Sequence, residues 1–156
     1  METVFIETTI VSYLVANRSR DLVLAAHQET TEGWWTNHRS RYHCITSAEV
    51  LREASLGDAA MSQRRLEALA GLPVLAMDQV TSDLARDLIR RDLLPREALS
   101  DAHHVSVATV HGVDYLLTWN CRHLANPHLM KRLRAYMADR QLILPEICTP
   151  LELGGD

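Results

Sequence analysis

The chain opens with an apolar run, Val4-Phe5-Ile6, and changes period at Glu7. Beyond it Ile10, Val11, Leu14 and Val15 recur at helical spacing, so a short buried strand (Thr3 to Ile6) feeds directly into a helix (Thr8 to Val15). Thr8 or Thr9 is the expected cap of that helix. A second helix is expected from Asp21 to about Thr36 and a second strand from Arg41 to Thr46. A helix capped by Ser47 then runs through Ala54 and stops at Gly57-Asp58. Ala59 to Ala70 reads as a helix closed by Gly71, and Pro73 to Met77 as a third strand. The most regular amphipathic stripe, Val80, Leu84, Ala85, Leu88 and Ile89, predicts a helix from Gln79 to Asp92, broken by Pro95. Arg96 to His111 is another helix, ended by Gly112. Val113 to Thr118 is a fourth strand, Pro127 to Arg140 a charged helix, and Glu146 to Cys148 a last strand before a Gly-Gly tail. Strands that alternate with helices predict an α/β fold with a parallel sheet covered on both faces.

No repeat, linker or low-complexity tract interrupts this pattern, and 156 residues suit one domain spanning 1–156. With a single Phe, the core must be mainly Leu, Val, Ile and Ala. A net charge of −4 excludes a protein that coats nucleic acid by charge alone. Lys131 is the only lysine. The remaining cations are arginines, which suit bidentate phosphate contacts, although a preference for arginine codons explains the bias equally well. Cys44, Cys121 and Cys148 form no disulfide framework, and a reducing cytoplasm is the expected setting. No leader pattern opens the chain, and no apolar run approaches the ~18 residues of a membrane span.

The pattern also isolates four acidic or amide positions. Glu7 and Asn120 follow apolar strands, Asp101 lies in the first turns of a helix, and the fourth position is either Glu49 or Glu53, four residues apart on the helix after the second strand. Ligand chemistry in open parallel sheets collects beyond the carboxyl ends of the strands. Oxygen ligands converging there would bind a hard cation such as Mg²⁺ or Mn²⁺. Each position also has a plainer reading, as a helix-start carboxylate or a turn-capping amide, and spacing alone does not choose between Glu49 and Glu53. His104, one turn after Asp101, reads as a core or supporting histidine. The histidines and cysteines lack structural zinc spacing. Arg122 and His123 could meet a phosphate, and Trp119 could stack on a base or pack inside. No phosphate-binding glycine loop and no Gly-x-Ser-x-Gly nucleophile motif occur among the six glycines.

Together four segments resemble the PIN-domain family, and within it the VapC-like toxins of bacterial toxin–antitoxin systems. They are Phe5-Ile6-Glu7-Thr8-Thr9-Ile10-Val11-Ser12-Tyr13-Leu14, Thr46-Ser47 through Glu53 to Gly57, Ser100-Asp101-Ala102-His103-His104-Val105-Ser106-Val107-Ala108, and Tyr115-Leu116-Leu117-Thr118-Trp119-Asn120-Cys121-Arg122-His123-Leu124. Their order and spacing carry the resemblance over nearly the whole chain. It implies a three-layer PIN-like domain with a short-stranded central parallel sheet flanked by helices. It registers Glu53 rather than Glu49 as the site residue. It implies Mg²⁺ or Mn²⁺ held by Glu7, Glu53 and Asp101, with Asn120 orienting water or completing the shell. Two positions depart from the family pattern: Glu7 stands where Asp is usual, and Asn120 is an amide. The activity implied is a metal-dependent endoribonuclease with an antitoxin partner and a homodimeric form. A PIN-like module that binds RNA or a protein without catalysis, and a DNA nuclease, are the competing readings.

Overall fold

Val4, Phe5 and Ile6 are all fully buried, although successive residues of a strand face opposite sides. Both faces of their strand, β1 (Thr3–Ile6), are therefore covered. Burying side chains of this size contributes ~1.5–3 kcal/mol each, which outweighs strand-propensity differences of ~1 kcal/mol. That is why so short a strand can hold the centre of the fold. In the computed structural model, which describes residues 1–154, β1 is joined by β2 (His43–Ser47), β3 (Val74–Leu75), β4 (Tyr115–Leu117) and β5 (Glu146–Cys148). All pairings are parallel, and the order across the sheet is β3-β2-β1-β4-β5. Gly155 and Asp156, which end the expected tail and the expected 1–156 domain, lie outside the described residues.

The helices among the described residues are α1 (Thr8–Val15), α2 (Leu22–Asn37), α3 (Ala48–Ala54), α4 (Ala59–Leu69), α5 (Gln79–Arg90), α6 (Leu99–Val110), α7 (Pro127–Ala138) and α8 (Pro150–Leu153). They flank the sheet, giving the three-layer α/β arrangement expected. None is long and apolar enough to cross a membrane. The chain runs outward from β1 to β2 and β3, then returns to place β4 on the other side of β1. The order reverses between β1 and β4, and in open parallel sheets the ligand crevice lies beyond the carboxyl ends at such a reversal.

Local chemistry explains where the elements depart from expectation. Glu7, not Thr8 or Thr9, caps α1: its carboxylate accepts the Thr9 N–H at 3.0 Å. Asp58 does not end α3 but starts α4, accepting the Met61 N–H at 3.0 Å. β2 begins later than expected because Arg39–Arg41 coil into a 3₁₀ turn. β3 shrinks to two residues at the sheet edge, where Pro73 offers only its carbonyl, to Thr46 N at 2.9 Å. A 3₁₀ turn, Arg96–Ala98, precedes α6, so Asp101 is the third residue of the helix. Gly112, at φ 64°, provides the left-handed turn that ends α6 and leads to β4. The short α8, not anticipated from the sequence, is started by a capping box between Thr149 and Glu152. Trp34 is buried and stacked near Tyr42, while the Arg39 guanidinium lies 4.5 Å from the Trp35 ring centroid.

On the far side of the molecule Asp87 ties α5 to α7. It accepts from the Tyr136 hydroxyl, from Arg91 at 3.0 Å and from Arg140 at 3.1 Å, and it pairs with Arg90. The Tyr136 hydrogen bond, joined by Arg90 and Arg91, lowers the Asp87 carboxyl to about 2 against a smaller opposing push from burial. A lowered folded value stabilises the protein above the ordinary carboxylate range and is lost as pH falls through the folded value. The wild type should therefore be more stable than Asp87→Asn at pH 6 in urea melts, with the gap closing between pH 4 and about 2. A gap independent of pH would mean that the ionised carboxylate contributes nothing.

Candidate active site

Glu7 leaves β1 at the reversal point and is only 3% exposed. A carboxylate buried so deeply needs donors, and three reach one oxygen. Oε2 accepts from Thr9 N at 3.0 Å, from the Thr9 hydroxyl at 2.5 Å and from the Thr118 hydroxyl, at the end of β4, at 2.8 Å. Oε1 is left facing His104, whose Nε2 lies 3.8 Å away.

Glu53 approaches from α3. Its Oε1 accepts the Thr8 hydroxyl at 2.7 Å and meets His104 Nε2 at 2.6 Å. Glu49 goes elsewhere: Arg52 holds it through Nη2 at 2.6 Å and Nε at 2.9 Å, and Ser100 through its hydroxyl at 2.7 Å. The side chain that meets Glu7 is therefore Glu53. One oxygen from each of Glu7 and Glu53, together with a ring nitrogen of His104, lie within 4.8 Å of one another, close enough to share a metal ion.

Asp101 comes from the first turn of α6. Its Oδ2 accepts the Asn120 amide at 3.1 Å, and the Asn120 carbonyl oxygen in turn accepts His123 N at 2.9 Å. Both ends of the Asn120 side chain thus take part in hydrogen bonds. Asn120 N also donates to Thr118 Oγ1 at 3.0 Å, which links Asp101 through Asn120 and Thr118 to Glu7.

The charges interact strongly. Burial, foremost, raises the Asp101 carboxyl above its ordinary range, and Glu7 and Glu53 add to the rise against His104 and His123. Burial also pushes Glu53 up, but the His104 hydrogen bond and charge and the Thr8 hydroxyl together bring it below its ordinary value. His104 is completely buried; desolvation lowers its imidazole, and Glu53, Glu7 and Asp101 more than offset that, so the net shift is upward. Glu7, Glu53 and the buried His104 imidazole thus form one group, with Asp101 outside it and joined to Glu7 through Asn120 and Thr118.

Solved structures with the same arrangement of elements include VapC20 of Mycobacterium tuberculosis, a toxin that cleaves the sarcin–ricin loop. It matches with a TM-score of 0.58 and 17% sequence identity, over 76% of this chain and 91% of its own. A chain of the VapBC2 complex of Rickettsia felis, bound to a DNA fragment from its promoter, matches with a TM-score of 0.53 and 14% identity, over 94% of this chain and 98% of its own. The fold is VapC-like. No family model and no curated protein matches the sequence.

Within the VapC-like fold, Trp119 is interior rather than a base-stacking surface. It is 7% exposed, stacks on His27 at 4.1 Å between centroids, and donates its indole N–H to Thr31 Oγ1 at 2.8 Å. Its backbone N–H donates to the Thr9 hydroxyl at 2.8 Å, fixing one of the groups that hold Glu7. Arg122 is exposed two residues after Asn120, and the charge of His123 acts on Asp101. Sequence reading did not assign Thr8, Thr9 and Thr118 as carboxylate partners. Their signal was the Thr8-Thr9 pair directly after Glu7 and a threonine, Thr118, directly after β4.

Proposed function

We propose that this chain is a metal-dependent endoribonuclease and the toxin of a toxin–antitoxin pair, with Glu7, Glu53 and Asp101 holding Mg²⁺ or Mn²⁺. The observation that carries this reading is the meeting of Glu7 and Glu53 oxygens beyond β1 and β4, with Asp101 tied to Glu7 through Asn120 and Thr118. Like charges ~4 Å apart repel by ~1–4 kcal/mol, depending on the surrounding dielectric, so acids gathered this way favour a shared cation. The donor set fits a hard divalent ion. Once bound, the ion would offset charge on the scissile phosphate and lower the pKa of the attacking water.

The chain's own residues hold the carboxylates in position. Thr9 and Thr118 saturate one oxygen of Glu7 and leave the other facing the crevice. Thr8 and His104 hold Glu53 in place through its Oε1. Asn120 orients Asp101 through its amide N–H, and its carbonyl oxygen, which accepts only His123 N, keeps a second lone pair to orient water or complete the shell. Arg122, exposed two residues after Asn120, is available to a phosphate of the RNA backbone. The activity of VapC20 and the VapBC2 assembly support RNA as substrate and a small antitoxin as partner. A homodimer in the cytoplasm completes this reading.

The test is cleavage of a mixed-sequence RNA by the purified chain. EDTA should stop cleavage, and added Mg²⁺ or Mn²⁺ should restore it. Cleavage that survives thorough chelation would instead indicate acid–base chemistry by His104 or His123. A chain that neither binds a divalent cation nor cleaves RNA would be a binding module.

A further inference from the structure

The nitrogen ligand in the cluster was not expected. His104 lies on α6 one turn after Asp101, is wholly buried, and directs Nε2 between the two glutamates, 2.6 Å from Glu53 Oε1 and 3.8 Å from Glu7 Oε1. Those distances bracket the separation of neighbouring donors about a cation with bonds of ~2.1 Å. The side chain is immobilised: its ring packs 5.9 Å from the buried Phe5 ring, between centroids, and its helix is pinned against α5. Nδ1 has no hydrogen-bond partner, so no acceptor holds a proton there or fixes the ring in one tautomer.

We propose that His104 is itself a metal ligand through Nε2, so that the site selects a first-row transition cation over Mg²⁺. The proposal rests on the metal-dependent reading above and extends it. A shell of carboxylates and water suits Mg²⁺ as well as Mn²⁺, whereas an imidazole nitrogen favours the transition series. To bind through Nε2 the ring must be neutral with its proton on Nδ1. The proton shared by Nε2 and Glu53 Oε1 then leaves to solvent from a doubly protonated ring, or is exchanged for one on Nδ1 in a neutral ring, freeing the nitrogen lone pair for the ion. Metal-bound imidazoles usually donate their other N–H to an oxygen. Nδ1 lacks such an acceptor, which should make this site roughly 10–100-fold weaker than a supported one.

The experiment uses the whole chain freed of metal, with Mn²⁺ alone as probe. Pulsed electron paramagnetic resonance should detect a directly bonded ¹⁴N on the bound Mn²⁺. In His104→Gln, an amide of similar reach, the coupling should vanish. By calorimetry Mn²⁺ affinity should drop about 10-fold or more, while Mg²⁺ affinity measured by competition changes less than about 3-fold. Circular dichroism melts establish that the variant folds. If it does not, the wild-type nitrogen signal decides alone. Mn²⁺ bound without ¹⁴N coupling, or equal losses for both ions, would overturn the role of His104 and leave the carboxylate site standing. Failure of both ions to bind would remove this proposal and the metal-dependent reading together.

Discussion

Replacing Asp101 with Asn is expected to reduce RNA cleavage by about 100-fold or more without unfolding the protein, a loss comparable to removing one group that stabilises developing charge. The substitution keeps shape and removes one charge. Asp101 is the third residue of α6, where a negative charge favours the helix by only ~0.3–1 kcal/mol. Against that, its carboxyl is raised by burial and by Glu7 and Glu53, so in the absence of a cation the ionised group opposes folding at neutral pH. The neutral amide relieves that opposition. Its carbonyl oxygen can still accept the Asn120 amide, which turns its own NH₂ toward the crevice, where a cation would sit. Asp101→Asn should thus melt no lower than wild type in EDTA while cleaving far more slowly. Stability and activity moving in opposite directions distinguish a site residue from a scaffold residue. Cleavage at the wild-type rate would remove Asp101 from the mechanism.

Glu7→Asp should be nearly as damaging, although it keeps the charge. The change withdraws the carboxylate by one carbon–carbon bond, ~1.5 Å. Asp is a better helix cap than Glu, so α1 should survive and stability should stay within about 1 kcal/mol of wild type. The shorter side chain cannot keep Thr9 and Thr118 on one oxygen and also present the other to His104, now 3.8 Å away. Displacements near 1 Å at a reacting centre can cost ~100-fold. Mn²⁺ affinity measured by calorimetry should fall about 10-fold or more, and cleavage with it. Tighter binding in Glu7→Asp would mean that the crevice is shaped for the shorter acid usual in the family, and unchanged binding in both Glu7→Asp and Glu7→Gln would make Glu7 a helix cap only.

Much of the molecule was legible along the chain because periodicity and capping are local. Val4-Phe5-Ile6 ending at Glu7 marked the central strand and the residue that leaves it, and Leu116-Leu117 marked β4 in the same way. Boundaries slipped where backbone hydrogen bonding, not side-chain pattern, decides, as in the 3₁₀ turns before β2 and α6. Trp119 could not be assigned because an indole suits a core and a surface equally well. Its burial depends on His27 and Thr31, which lie on another helix.

By itself the sequence determined the alternation of strands and helices, hence a parallel sheet, and it put Glu7, Asp101 and Asn120 at strand ends or helix starts. Only the tertiary structure decided which groups share a site. Glu49 and Glu53 differ by one turn, ~6 Å along a common helical face, so no property of α3 alone separates them. Within α3 Arg52 takes Glu49, and the docking of α3 against α6 and α1 adds Ser100 to Glu49 and brings His104 and Thr8 to Glu53. The same holds for Thr118, which meets Glu7 across 111 residues of sequence because β4 returns to the flank of β1. His104 became a candidate ligand in the same way: helical spacing set its face relative to Asp101, but only the packing of α6 in the fold turned that face toward buried Glu7 and half-buried Glu53.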